Sequence, residues 1–175
     1  MNYLKGKKVY LTGPMHKAKD DGVGWRDKIT PRLTKMKIEV LDPCKKVVNG
    51  NIDLSEVGKN KEKFKDLVKS ENWNGVKREF WPIVRADLRM VDHCDFLIFN
   101  YDPLIPMVGT IHELVVATFE KKVILLKYDV DQLADFNPWV ATFTKEHHLF
   151  DEWDRMFSYL EQVNDGVFDT SLWVI

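Results

Sequence analysis

The chain has 175 residues, 45% of them hydrophobic and 30% charged, which is enough for one sizeable core and too little for two ordinary domains. Its 26 Lys and Arg oppose 27 Asp and Glu for a formal charge of -1, so no global field favours a nucleic-acid strand or an anionic membrane. The apolar run VYL near the N-terminus is far shorter than a signal-peptide core, and no stretch approaches the roughly 20 apolar residues of a membrane span. A soluble, cytoplasmic protein is predicted. Cys44 and Cys94 stand alone, without a CxxC or a His cluster, and read as reduced, buried thiols.

In chain order, Val9-Tyr10-Leu11-Thr12 is a β-rich run stopped by Gly13-Pro14, a first strand ending in a loop. Trp25 to Met36 reads as a helix, with Pro31 kinking it or starting its second half after Thr30 as cap. Residues 37–41 alternate and end at Asp42-Pro43, a second strand. From about 44 to 75 the chain turns polar, with weak helical spacing at Phe64, Leu67 and Val68, and reads as an insertion of flap-like character. Phe80, Ile83, Val84, Leu88 and Val91 mark a helical face leading into Phe96-Leu97-Ile98-Phe99, a run without alternation that suits a parallel strand buried on both faces. Thr110 to Lys121 is the next helix, Val123 to Leu126 the next strand, and helices are expected near 138–144 and 151–163. The apolar tail from Phe168 to Ile175 is expected to dock on the body.

Strands alternating with helices predict an α/β fold: a doubly wound parallel sheet of four to five strands in one domain spanning 1–175, with a C-terminal helical segment at about 136–175. Functional loops then belong at the carboxyl edge, after Thr12, Leu41, Phe99 and Leu126.

At that edge stands Gly109-Thr110-Ile111-His112-Glu113. A Glu in the first turn of a helix is favoured in its ionised form and can attack an electrophilic carbon, while Gly109 lets a ligand approach the main chain. The same letters also read as a capping box, Thr110 capping and Glu113 reaching back. Asp87, with Arg85 beside it, is a second carboxylate able to face the same edge, and the pair suits glycosidic cleavage. Arg85 and Asp87 read equally as a solvated pair on a helix face. His147-His148 lacks a third metal ligand, His93 and His112 lack a nucleophilic partner, and Gly22-Val23-Gly24 lacks the spacing of a dinucleotide fingerprint. Lys59 to Lys69 reads as a solvated charged face.

Four segments, YLTGPM, VLDP, RADLRMVDHCDFLIF and GTIHELVVATFEKKVILL, in this order between residues 10 and 126, resemble the nucleoside 2-deoxyribosyltransferase family and its nucleotide N-glycosidase relatives. The resemblance implies a flavodoxin-like (Rossmann-like) sheet, no cofactor and no metal. It implies cleavage of the N-glycosidic bond of a (deoxy)nucleoside or its 5′-monophosphate, with Glu113 as nucleophile, a covalent glycosyl-enzyme, and the sugar passed to another base, or to water in the hydrolase branch. By the same resemblance Asp87 helps hold the sugar, Tyr10 lies near it, Gly13 marks the first loop, and Asn137 is expected to reach a neighbouring subunit of a homo-oligomer. The family's transferases often carry an Asp six residues before the nucleophile; here Met107 stands there, which leaves Asp102 or Asp95 as substitutes for handling the base proton, lets the base leave with hydrogen-bond help alone, or places the chain with the hydrolases. His16, Lys17, Lys19 and Arg26 are candidate phosphate donors, or simply a solvated loop. Met107 and the insertion leave a third reading open, a nucleotide-binding module without turnover. Of the many aromatics, Tyr10, Phe99 and Tyr101 are expected to wall the base, and Trp139, Trp153, Phe157, Tyr159 and Trp173 to pack against a second subunit.

Overall fold

A computed structural model describes residues 2–48, 52–168 and Trp173. In chain order it contains β1 (Lys8–Thr12), α1 (Val23–Lys35), β2 (Glu39–Leu41), β3 (Val47–Val48), β4 (Ile52–Asp53), α2 (Lys59–Lys69), α3 (Trp73–His93), β5 (Phe96–Asn100), α4 (Val108–Phe119), β6 (Val123–Lys127), α5 (Pro138–Ala141), β7 (Leu149–Phe150) and α6 (Trp153–Asp165).

Five of the strands form one all-parallel sheet in the order β2-β1-β5-β6-β7, and β3 and β4 make a small antiparallel hairpin apart from it. Numbered within the sheet alone the order is 2-1-3-4-5, the flavodoxin-like winding, whose ligand crevice lies where the winding reverses, between β1 and β5. Alternate residues of the strands feed opposite layers. Val9, Leu11, Phe96, Ile98 and Leu125 pack with Ile29 and Leu33 of α1 and with Met156, Phe157, Leu160 and Val163 of α6. Tyr10, Leu97, Phe99, Ile124 and Leu126 pack with Val91 of α3 and with Leu114 and Ala117 of α4. Burial on both faces is the reason β5 and β6 read as unbroken apolar runs.

Three expectations change. Pro31 neither kinks nor restarts α1, because both it and Asp27, whose carbonyl loses its partner, lie on the exposed side. The insertion is no detached flap: it folds as the hairpin and α2, whose Phe64 packs edge-on against Phe80 of α3 with centroids 5.0 Å apart. Asn72, whose side chain accepts the Gly75 N–H, starts α3 seven residues before the apolar pattern.

The C-terminal aromatics complete this chain's own core. Trp153 stacks on Trp25 at 5.7 Å, Phe157 lies beneath the Arg32 guanidinium, and Trp173 packs on Phe96 at 5.1 Å with its indole N–H donating to the Tyr159 hydroxyl. The layer of α1 and α6 needs these rings to close over the sheet, so they are not an intersubunit surface; Trp139 alone of that group stays largely exposed, at 73%. Trp173 is buried, as a docked tail requires, while residues 169–172 and 174–175 lie outside the described residues. Both cysteines are free and buried. No helix among the described residues is long and apolar enough to cross a membrane.

Candidate active site

Tyr10 and Thr12 share one face of β1, two residues apart, and both side chains point toward α4. The Tyr10 hydroxyl donates to Glu113 Oε1 at 2.8 Å, and the Thr12 hydroxyl donates to Glu113 Oε2. Glu113 lies in the second turn of α4, not the first, because the helix begins at Val108 with Met107 as an N-cap that makes no side-chain hydrogen bond. The capping box therefore does not form. Thr110 faces the cavity described below, and the Glu113 carboxylate is held by β1 instead of its own helix.

Burial, and then the negative charge of Asp87, push the Glu113 carboxyl up to about 7, against the Thr12 and Tyr10 hydrogen bonds and the Arg26 charge. The same burial and the two carboxylates hold the Tyr10 phenol well above its ordinary value, so it remains a donor. Asp87 projects from α3 into the same region. Its Oδ1 lies 2.6 Å from Lys46 Nζ, and both side chains are nearly inaccessible. Burial raises the Asp87 carboxyl, while Lys46, the Tyr10 hydroxyl and Arg26 favour its charged form.

Arg26 is fully buried under this cluster and spends its guanidinium on the main chain: Nε and Nη2 donate to the Leu11 carbonyl, Nη2 also to Gly13 O, and Nη1 to Gly22 O. It fixes the first loop with four of its five N–H donors, which makes it a fastening of that loop first. Gly13 is required there, because a Cβ would lie 2.9 Å from the Asn100 carbonyl oxygen of β5.

Glu113, Asp87, Gly13, Gly109 and Thr110 open onto one cavity of about 690 Å³ at the carboxyl edge. One wall is apolar, with Phe64 and Val68 from α2 and Phe80, Val84 and Leu88 from α3. His16 and Lys17 of the first loop face Lys65 and Lys69 of α2 across it. A second cleft of about 430 Å³, lined by Arg32, Lys35, Phe157 and Glu161, contains none of these carboxylates.

No protein-family model matches the sequence, and no curated protein matches it. Among solved structures the chain is similar to the 2-deoxyribosyltransferase of Bacillus psychrosaccharolyticus, at 15% identity and a TM-score of 0.56, with 87% of this chain and 91% of that chain covered. This chain has that enzyme's fold. It is also similar to a Clostridium botulinum CMP N-glycosidase (13% identity, TM-score 0.48, covering 90% and 99% of the two chains) and to a conserved protein from Enterococcus faecalis V583 (16%, 0.46, 91% and 88%).

Several expected residues fall elsewhere. The Tyr10 ring is buried, and only its hydroxyl reaches the site. Phe99 and Tyr101 are likewise core residues, Tyr101 meeting Phe136 edge-on at 4.9 Å, so they do not wall a base. Arg85 points to solvent from α3, and Lys46 takes the place expected of it beside Asp87. Asp102 closes a turn by accepting the Leu104 N–H, Asp95 sits at the opposite edge of the sheet, and Lys19 is exposed away from the cavity. Asn137 caps α5, its side chain accepting the Trp139 N–H, and does not line this chain's cavity. His148 is buried against the Tyr159 hydroxyl at 2.7 Å. The sequence pattern did not single out Thr12, Lys46 or Glu56, and of the apolar wall it placed Phe64 and Val68 in the flap-like insertion while giving Phe80, Val84 and Leu88 to a helical face. Only Thr12 carried a signal, its period-2 spacing from Tyr10.

Proposed function

We propose that this chain is an enzyme that breaks the N-glycosidic bond of a (deoxy)nucleoside or its 5′-monophosphate. The observation that carries the reading is the convergence of Glu113 and Asp87 on one cavity, with Glu113 held by Tyr10 and Thr12. The cavity size suits a small ligand, and the fold is one that a 2-deoxyribosyltransferase uses. Glu113 attacks C1′, the C1′–N bond breaks with its electron pair leaving on the base, and the sugar becomes esterified to Glu113. A second nucleophile, an acceptor base or water, then attacks C1′ from the opposite side and releases Glu113, so configuration is retained overall. Asp87 accepts hydrogen bonds from the sugar hydroxyls, and Lys46 keeps it ionised for that purpose. The wall of Phe64, Phe80 and Leu88 stacks the base. The cationic side chains of Lys17, Lys65 and Lys69, with the His16 imidazole beside them as a neutral donor, favour the 5′-monophosphate, a dianion that Lys17 and Lys69 meet with no ion pair of their own among the described residues.

The second reading, hydrolysis in place of transfer, is favoured by Met107, whose thioether carries no proton at the N-cap of α4. Subunit assembly belongs to the same proposal, through the exposed Val108, Val115 and Phe119 stripe of α4 and Trp139 beyond it. Incubation with deoxynucleosides and their 5′-monophosphates, with and without free bases, tests all of this. Cleavage that disappears in Glu113→Ala, with a deoxyribosyl adduct on Glu113 in the wild type, is the expected result. Equal cleavage by the variant sinks the nucleophile, and saturable binding without cleavage means a binding module. Base release that does not depend on acceptor makes the protein a hydrolase.

A further inference from the structure

Glu56, in the segment between β4 and α2, lines the same cavity as Glu113 and Asp87. The three carboxyls differ in what holds them. Glu113 is taken by Tyr10 and Thr12, Asp87 by Lys46, and Glu56 makes no hydrogen bond or ion pair among the described residues. An uncommitted carboxyl half-buried in a reaction cavity is available to a ligand. Glycosidic cleavage has an unmet need for one, because the departing nitrogen carries an electron pair that must be neutralised.

We propose that Glu56 is the acid that protonates the base as it leaves and the base that activates the second nucleophile, an inference that rests on the glycosidic reading above. The groups facing Glu56 support the role. Burial and the Asp87 charge from α3 favour its protonated form, and Lys46, before β3, and Arg26 of α1 stabilise the carboxylate it becomes. His16 is a poorer acid, since burial and the neighbouring Lys17, Lys61 and Lys65 keep its imidazole neutral. As the Glu113 oxygen bonds to C1′ and the C1′–N bond breaks, the Glu56 O–H bond breaks and its proton passes to the base, which departs neutral. In the second half Glu56 takes a proton from the incoming water or acceptor base, that nucleophile bonds to C1′, and the C1′–Glu113 bond breaks. Protons and electron pairs balance over the cycle, and Glu56 ends protonated as it began.

The test compares Glu56→Gln with wild type on two substrates: the natural deoxynucleotide cleaved fastest, and the matching 4-nitrophenyl 2-deoxyriboside, whose phenolate leaves without a proton. The expected result is a loss of about 100-fold or more in kcat/KM on the natural substrate, with less than about a threefold change on formation of the glycosyl-enzyme from the nitrophenyl compound. The alkaline limb of the wild-type pH profile disappears in the variant. Because the second substrate reports folding and the Glu113 step independently, equal losses on both substrates, or no loss on either, overturn the assignment. Failure of the wild type to release base from any deoxynucleoside or deoxynucleotide instead overturns the glycosidic reading itself.

Discussion

The two edges of the one sheet handle carboxylates in opposite ways. At the amino edge Asp95 accepts the Lys8 N–H at 2.6 Å, lies 3.7 Å from Lys7 Nζ and keeps about a third of its side chain in solvent. Beside it Lys122 Nζ donates to the carbonyls of Asp92 and Cys94 and closes the end of α3. These polar groups finish fastenings. At the carboxyl edge Glu113, Asp87 and Glu56 are gathered where water is scarce, and burial raises all three. Folding alone gives no reason to crowd like charges in this way, since each carboxyl held above its ordinary range weakens the native state at neutral pH. The contrast separates parts that hold the sheet together from parts kept for a ligand.

The largest effect belongs to Glu113. Glu113→Gln is expected to lower turnover about a thousandfold or more, because no side chain replaces the attacking oxygen. The wild-type kcat/KM should rise with pH through about 7, where Glu113 ionises. Stability should move the other way. The folded carboxyl binds its proton more tightly than the unfolded one, whose value is near 4.5, so the Glu113 contribution to stability is fully present below about 4.5 and is lost as pH rises through about 7. The Gln variant lacks that slope and gains up to about 3 kcal/mol relative to wild type at pH 8, an upper limit because the side chain is partly open to the cavity. Urea titrations at pH 4.5 and 8 measure it.

Lys46→Met comes next, as it leaves Asp87 buried without its partner. A loss of about 3–5 kcal/mol at pH 8 is expected, shrinking as the pH falls and Asp87, whose carboxyl burial already raises, takes up a proton. A loss that does not depend on pH would mean that Lys46 acts by packing alone. Tyr10→Phe removes one of the two hydroxyl donors to Glu113 and should cost about tenfold in kcat, while moving the acidic limb of the pH profile upward. An unmoved limb would show that the Thr12 hydroxyl suffices.

The layering was legible in the sequence because the parallel strands are buried on both faces, and runs such as Phe96 to Phe99 cannot be read otherwise. Glu113 and Asp87 were legible because their segments resemble a known family's; the local pattern alone read them as a helix cap and a solvated pair. Lys46, Glu56 and the wall containing Phe64 were not. They lie on or beside short elements with little periodicity, in a stretch whose charged composition resembles solvated loop, and tertiary contacts such as Phe64 on Phe80 and Lys46 on Asp87 bring them over the site. The aromatics misled for a related reason: periodicity says that Phe157 or Tyr101 faces inward, but not whether the surface it meets belongs to the same chain.

The smallest effect tests the contrast from its quiet side. Asp95 satisfied the same sequence criterion as Asp87, a carboxylate beside the third strand of the sheet, yet β5 carries it to the edge away from the cavity. Asp95→Ala removes the acceptor for the Lys8 N–H and one weak pairing with Lys7, both reachable by water, so about 1 kcal/mol of stability is at stake. Turnover should stay within twofold of wild type. A tenfold drop in kcat in a variant that melts normally would mean that the amino edge communicates with Glu113 through β1, and that fastening and function are not divided between the edges. An unchanged kcat with a melting temperature lower by a few degrees is the outcome the geometry requires, because the backbone bonds of β1 to β2 and β5 do not depend on the Asp95 side chain.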